Sequence, residues 1–159
     1  MQGHPSNIPK IGGRPAHIPK GPAKPLSTKK EVITKIPFFA SLGASEIVNI
    51  EPHFHEYKFE RNQFLFQEGD STSLLYVIKS GRVRLLKAAA SGKEMILEVM
   101  VPGKICGGDT LFNDLHRNSA QAVDATITYG LSKEDYNELL TKYPKIAKGI
   151  IKFLGGKLM

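Results

Sequence analysis

A single cysteine, Cys106, stands in the 159 residues, so the chain cannot close an internal disulfide or supply a four-thiolate iron–sulfur site, and it suits a reducing compartment. Uninterrupted apolar runs are short, Leu74 to Ile78 being among the longest, against the roughly 20 residues that a membrane-spanning helix needs. The N-terminus lacks the apolar core, about 7 to 15 residues, of a secretory signal. These absences point to a cytoplasmic chain with no membrane partner. Acidic side chains are missing from residues 1–30, where Lys10, Arg14, Lys20, Lys24, Lys29 and Lys30 carry +6 of the net +7 and leave the remainder close to neutral.

What is present is ordinary for one globular domain: 41% hydrophobic and 23% charged residues. The basic segment also holds six of the ten prolines, and Ile8-Pro9-Lys10 recurs as Ile18-Pro19-Lys20. With so few large apolar side chains it cannot offset its ordering entropy, so a disordered, proline-rich tail is expected over residues 1–30. Such a tail is either a solvated extension or a loose contact for phosphates or another anionic surface; no aromatic residues are interleaved in it to stack on bases.

Beyond the tail, Val32, Ile33 and Ile36 share one helical face, with Ser27 as a candidate N-cap and Pro37 as the stop. Ile47, Val48 and Ile50 predict a second short helix ending at Pro52. From His55 the period shortens. Tyr57 and Phe59, then Phe64 to Phe66, Leu74 to Ile78, Val83 to Leu86 and Met95 to Val101 read as strands, separated by Arg61-Asn62, Glu68-Gly69-Asp70, Ser80-Gly81, Ser91-Gly92 and Pro102-Gly103. Turn signals about every ten residues predict an antiparallel sandwich or barrel. Cys106 to Ser119 breaks this rhythm with a single helical turn at Leu111 and Phe112, capped by Asp109 or Thr110. Strand character returns at Ala120, Ala122 and Ala125 and at Ile127, Tyr129 and Leu131. Ser132 and Asp135 then open a helix through Tyr136, Leu139 and Leu140, and a last helix from Lys145 carries Ile146, Ile150, Leu154 and Leu158 on one stripe. Gly149, Gly155 and Gly156 each weaken that helix by about 1 kcal/mol relative to alanine, so it needs a packing partner.

Phe66-Gln67-Glu68-Gly69-Asp70, Leu75 to Gly81, and Pro102-Gly103 before Gly107 resemble the glycine-punctuated framework of the cyclic-nucleotide-binding domain. With Ile36-Pro37-Phe38-Phe39-Ala40-Ser41-Leu42 ahead of it, the chain over about residues 35–155 is similar to the sensor domain of Crp/Fnr-type bacterial transcription regulators. The resemblance implies a mainly β fold with flanking helices, an antiparallel β-roll or jelly roll (a cupin-like double-stranded barrel) with short N-terminal and C-terminal helices. It implies three parts: the tail 1–30, a sensor domain 31–144 and a C-terminal helix 145–159. In the family the small helix is a phosphate-binding cassette, whose N–H groups and an arginine receive the cyclic phosphate while a glutamate holds the ribose.

By this resemblance the candidate ligand-binding residues are Gly107, Gly108, Asp109, Thr110, Leu111, Arg117, Asn118, Ser119 and Ala120. Gly108 stands in the glutamate's place and Asn118 in the arginine's; Asp109 and Arg117 are each one residue away. A missing guanidinium removes a contact that contributes about 1.5–3 kcal/mol, which argues against tight cyclic AMP binding and leaves the effector unidentified.

His53, His55 and His116 are candidate metal or haem ligands, set against exposed histidines flanking a turn; Cys106 is a candidate haem or redox ligand, set against a small buried side chain. Both are weaker than their bland alternatives, and no metal or haem is expected. Gly107-Gly108-Asp109-Thr110 lacks the ending of a phosphate-binding P-loop. No catalytic arrangement stands out, and a cupin-like enzyme would want several inward histidines and a carboxylate. The resemblance implies a homodimer, with Ile146, Ile150 and Leu154 as its seam and signal path; the other reading of this stripe is packing on its own barrel. No helix-turn-helix follows, so direct DNA binding is not expected of this chain alone. The functional expectation is a ligand-sensing regulatory domain that regulates transcription as part of a longer chain; the alternative is a scaffold barrel with a basic tail and no ligand.

Overall fold

The structure, a computed structural model, describes residues 28–158; the proposed tail up to residue 27 and the side chains of Leu154, Lys157 and Leu158 lie outside what is described. Helix α1 (Lys29–Thr34) begins earlier than the expected tail ends. Its N-cap is Thr28 rather than Ser27: the backbone there is extended and Oγ1 accepts from the Glu31 amide at 3.0 Å. A 3-10 turn follows at Pro37–Phe39, set up by the extended backbone of Ile36 that a following proline favours. Helix α2 (Ala44–Ile50) is braced by the Glu46 carboxylate accepting from the Gly43 amide at 2.9 Å, which holds that carboxyl below its ordinary pKa. Its buried stripe is Ile47 and Ile50. Val48, the third apolar residue of the helix, is 55% exposed.

The strands are β1 (Phe54–Phe59), β2 (Phe64–Phe66), β3 (Leu74–Ser80), β4 (Val83–Ala88), β5 (Glu94–Met100), β6 (Ile105–Cys106), β7 (Ser119–Ala122) and β8 (Thr126–Ser132). They form two antiparallel four-stranded sheets, ordered β1-β8-β3-β6 and β2-β7-β4-β5. Helices α3 (Lys133–Lys142) and α4 (Pro144–Leu158) close the chain, with Ser132 Oγ capping α3 through the Asp135 amide at 3.0 Å. This is the β-roll with flanking helices that the resemblance implied, built from antiparallel strands as the turn spacing predicted. No helix among the described residues is long and apolar enough to cross a membrane.

Strand alternation gives the first sheet a core on each face. On one face Leu75, Val77, Tyr129 and Leu131 pack with Val32, Ile33, Phe38, Phe39 and Ile50 of the helical layer. On the other, Tyr76 and Ile78 meet Leu65, Phe66, Val83 and Ala120 of the second sheet inside the roll. Gly130 makes room there for the Tyr57 ring, since a Cβ at that position would lie 2.7 Å from it.

Ile146 and Ile150 belong to the helix-side core, 0% and 6% exposed. This corrects the expectation of a dimer seam on these residues: burying each contributes about 1.5–3 kcal/mol to this chain's own stability. Gly149 supplies the close approach that the helix requires, because a Cβ there would stand 2.5 Å from the Phe38 carbonyl oxygen.

Candidate ligand-binding cassette

Strand β6 runs into Gly107, whose φ of 79° is left-handed. An added Cβ would also lie 3.1 Å from the Leu74 carbonyl oxygen and from the Phe66 ring, so both conformation and space select glycine. Gly107 therefore occupies the cap position of the 3-10 turn Gly108–Leu111, while Asp109 and Thr110, the expected caps, lie within the turn. Buried Thr110 donates from Oγ1 to the Leu74 carbonyl at 3.0 Å and fastens the turn to β3.

The loop beyond the turn is tied back by the Asp109 carboxylate. Oδ1 lies 3.0 Å from His116 Nδ1, and Oδ2 accepts from the Arg117 amide at 2.9 Å. In the tautomer with its proton on Nδ1, the imidazole donates to this carboxylate. The His116 ring stacks on Phe66 with centroids 3.7 Å apart and planes 10° from parallel, and its side chain is 3% exposed. The expectation of exposed histidines therefore fails at His116, which is a structural member of the cassette; nothing local in the sequence distinguishes it, because Phe66 lies fifty residues away.

Neither Asp109 nor Arg117, each one residue from the family's glutamate and arginine positions, offers a free side chain in the way those positions imply. Asp109 is engaged within the loop, and Arg117 takes part through its backbone alone, its carbonyl accepting from Lys87 Nζ at 2.9 Å. Gly107, Gly108, Asp109 and Asn118 face Leu85 and Met100 across a cavity of about 130 Å³. Small-molecule sites typically measure about 300–1,000 Å³, so a nucleotide would need the cassette to move. The remaining candidates do not line this cavity. Leu111 packs toward the helix-side core, Ala120 is buried in the roll, and Ser119 Oγ accepts from the Glu68 amide at 2.8 Å. Much of the roll is occupied by aromatic rings: Tyr76 stands edge-on to Tyr57 and Phe59 at 5.7 and 5.6 Å and is stacked on Phe66 at 6.5 Å. Burial pushes the Tyr76 hydroxyl up to about 12.

Behind the turn a second cavity, about 250 Å³, is lined by Gly108, Leu111 and Phe112 of the cassette and by Ile150 and Phe153 of α4. The cassette and the last helix thus share a wall. The candidate metal or haem ligands are dispersed. His53 lies in the 3-10 turn Glu51–His53, 3.3 Å from Asp135, His55 is exposed on β1, and His116 is in the cassette. Among the described residues no three histidine, cysteine or acidic side chains are grouped to hold a metal. Cys106 is fully buried with its thiol pushed up by burial, 3.2 Å from Met100 Sδ, which fits a packing side chain.

Comparison with known proteins agrees with this geometry. Residues 56–143 match the model of the cyclic nucleotide-binding domain. The chain is 30% identical over 123 residues to the cyclic AMP receptor protein of Thermus thermophilus, covering 77% of this chain and 57% of that protein. It is 27% identical to the anaerobic regulatory protein of Pasteurella multocida, over 77% of this chain and 45% of the relative. Among solved structures, the N-terminal domain of a transcriptional regulator from Streptomyces coelicolor A3(2) superposes with a TM-score of 0.71 at 26% identity, covering 80% of this chain and 91% of that one. The chain spans about half the length of the curated relatives it matches. From the match across β1 to α3, the two-sheet roll and the cassette between β6 and β7, the chain belongs to the cyclic nucleotide-binding domain family, and its relatives are regulators of the Crp/Fnr type.

Proposed function

We propose that this chain is the effector-sensing part of a Crp/Fnr-type regulator, acting in the cytoplasm, and that its effector is not cyclic AMP held by a glutamate and an arginine. The observation that carries the reading is the cavity between the cassette turn and α4, which Leu111 and Phe112 line from one side and Ile150 and Phe153 from the other. A ligand that rearranged the turn would repack the helix, which is the element that leads out of the domain. It would shift the equilibrium only by its differential affinity for the two packings. Gly107, Gly108, Asp109 and Asn118 are the residues placed to meet that ligand, with Thr110, Leu111, Arg117, Ser119 and Ala120 supporting the turn. A homodimer belongs to this reading, but Ile146 and Ile150 are not available to it; Ile151, 70% exposed on α4, is the apolar side chain that a partner helix could cover.

The test is hydrogen exchange of the wild-type chain and a His116→Ala variant. Removing the ring frees the Asp109 carboxylate and loosens the turn, and exchange in residues 146–153 should accelerate with it. Unchanged protection in that segment, alongside faster exchange in residues 107–118, would show that turn and helix are not coupled and would overturn the reading.

A further inference from the structure

Helix α4 carries an unusual charge pattern. Lys145, Lys148 and Lys152 lie three and four residues apart on one exposed side, and no acidic residue follows Glu138 in the sequence. Like charges one turn apart oppose helix formation, and Lys145 stands in the first turn, where the helix dipole disfavours a cation. Lys145 lies 3.4 Å from Glu46 Oε1, whereas Lys148 and Lys152 have no ion-pair partner among the described residues. Lys148 and Lys152 are thus placed to meet an anion from outside the chain.

Beside these lysines runs a groove of about 520 Å³ between α4 and the turn Pro37–Phe39, with an apolar lining from Pro37, Ala40, Gly149 and Phe153. Its volume is on the scale of a small-molecule site, about 300–1,000 Å³. A strip of apolar surface rimmed by unpaired ammonium groups matches a molecule with an apolar body and one anionic end. We infer that this groove binds a monomeric long-chain carboxylate, the chain lying along Pro37, Ala40 and Phe153 and the carboxylate between Lys148 and Lys152. A bilayer surface fits less well: a membrane-seated helix turns its apolar face to lipid, and here Ile146 and Ile150 of that face are buried in the domain. The groove shares Phe153 with the cavity behind the cassette but none of the residues that face the cassette's ligand cavity, so it stands whether or not the cassette binds a ligand.

The test is calorimetric titration of the full chain with dodecanoate below its micelle-forming concentration, with dodecanol, inorganic sulfate and phosphatidylglycerol vesicles in parallel. Saturable one-to-one binding of dodecanoate is expected, at least tenfold tighter than dodecanol, with none for sulfate. Lys148→Glu with Lys152→Glu should weaken dodecanoate at least tenfold at an unchanged unfolding midpoint. Ala40→Trp, which fills the groove from an exposed position, should abolish binding while the circular dichroism of the fold is kept. No saturable binding of dodecanoate, equal binding of dodecanol, insensitivity to either variant, or association with vesicles alone would overturn the assignment.

Discussion

Asp109 and His116 clasp the two ends of the cassette loop, with the carboxylate 3.0 Å from the imidazole and its other oxygen on the next backbone amide. The carboxylate that sits nearest the family's glutamate position is thereby an internal fastener, and the ring it holds is pressed flat against Phe66.

Asp109→Ala should therefore destabilise the domain. It removes a charge-assisted hydrogen bond and leaves a donor on an imidazole that is 3% exposed, a combination that costs about 2–3 kcal/mol. Asp109→Asn keeps one acceptor and should cost less. Urea denaturation measures both, and an alanine variant within about 0.5 kcal/mol of wild type, the usual range for surface substitutions, would remove the fastener from the account.

Cyclic AMP at millimolar concentration should leave the thermal midpoint of the wild-type chain unchanged. The double variant Gly108→Glu with Asn118→Arg restores the two missing side chains, and space exists at the first position, where an added Cβ meets only an Ile105 methyl at 4.0 Å. Once cyclic AMP reaches a hundred times its dissociation constant, the double variant should gain about 2.7 kcal/mol, read as a rise in its midpoint. A rise in wild type would mean that Asp109 lets go of His116 to receive the nucleotide.

Two glycines of α4 should respond to alanine with opposite sign. Gly155 has open space around a Cβ, so Gly155→Ala should stabilise by about 0.5–1 kcal/mol through helix propensity. Gly149→Ala gains the same propensity but places a methyl 2.5 Å from the Phe38 carbonyl oxygen, and the net change should be a loss of about 1–3 kcal/mol as α4 is levered off the core. Equal effects at the two sites in denaturation experiments would show that α4 does not seat on Phe38.

Acid should reveal the ion pair between Arg82 and Asp124, where Nε and a terminal nitrogen of the guanidinium donate to the two carboxylate oxygens at 2.6 and 3.1 Å. The hydrogen bonds from Arg82 hold the Asp124 carboxyl below its ordinary value, so its contribution is present above the unfolded value of about 3.9 and is lost as pH falls through the lower folded value. The carboxylate is 39% exposed, which limits the effect to less than about 1 kcal/mol. The stabilities of wild type and Asp124→Asn should differ above pH of about 4 and converge below it. A constant difference across that range would assign the effect to packing.

The elements and their order were legible because strand alternation and turn glycines are local signals: Gly69, Gly81, Gly92 and Gly103 all stand at turns with positive φ. The location of the cassette was legible for the same reason. Its interior was not. His116 reads as a polar loop residue until Phe66 comes to lie under it, and Asp109 reads as a cap until Gly107 takes that position. The stripe on α4 announced a buried face without saying what buries it, since a partner helix and the chain's own Phe38 ask for the same periodicity.

The sheet that separates the two cores also divides the chain's chromophores. There is no tryptophan, and of the five tyrosines Tyr57 and Tyr76 lie in the roll while Tyr129, Tyr136 and Tyr143 lie on the helical side. Near-ultraviolet dichroism and tyrosine emission from the unmodified molecule are therefore sums of two spatially distinct signals. Phenylalanine replacements at Tyr57 and Tyr76 would isolate the helical compartment, giving a label-free optical channel for each side of one sheet.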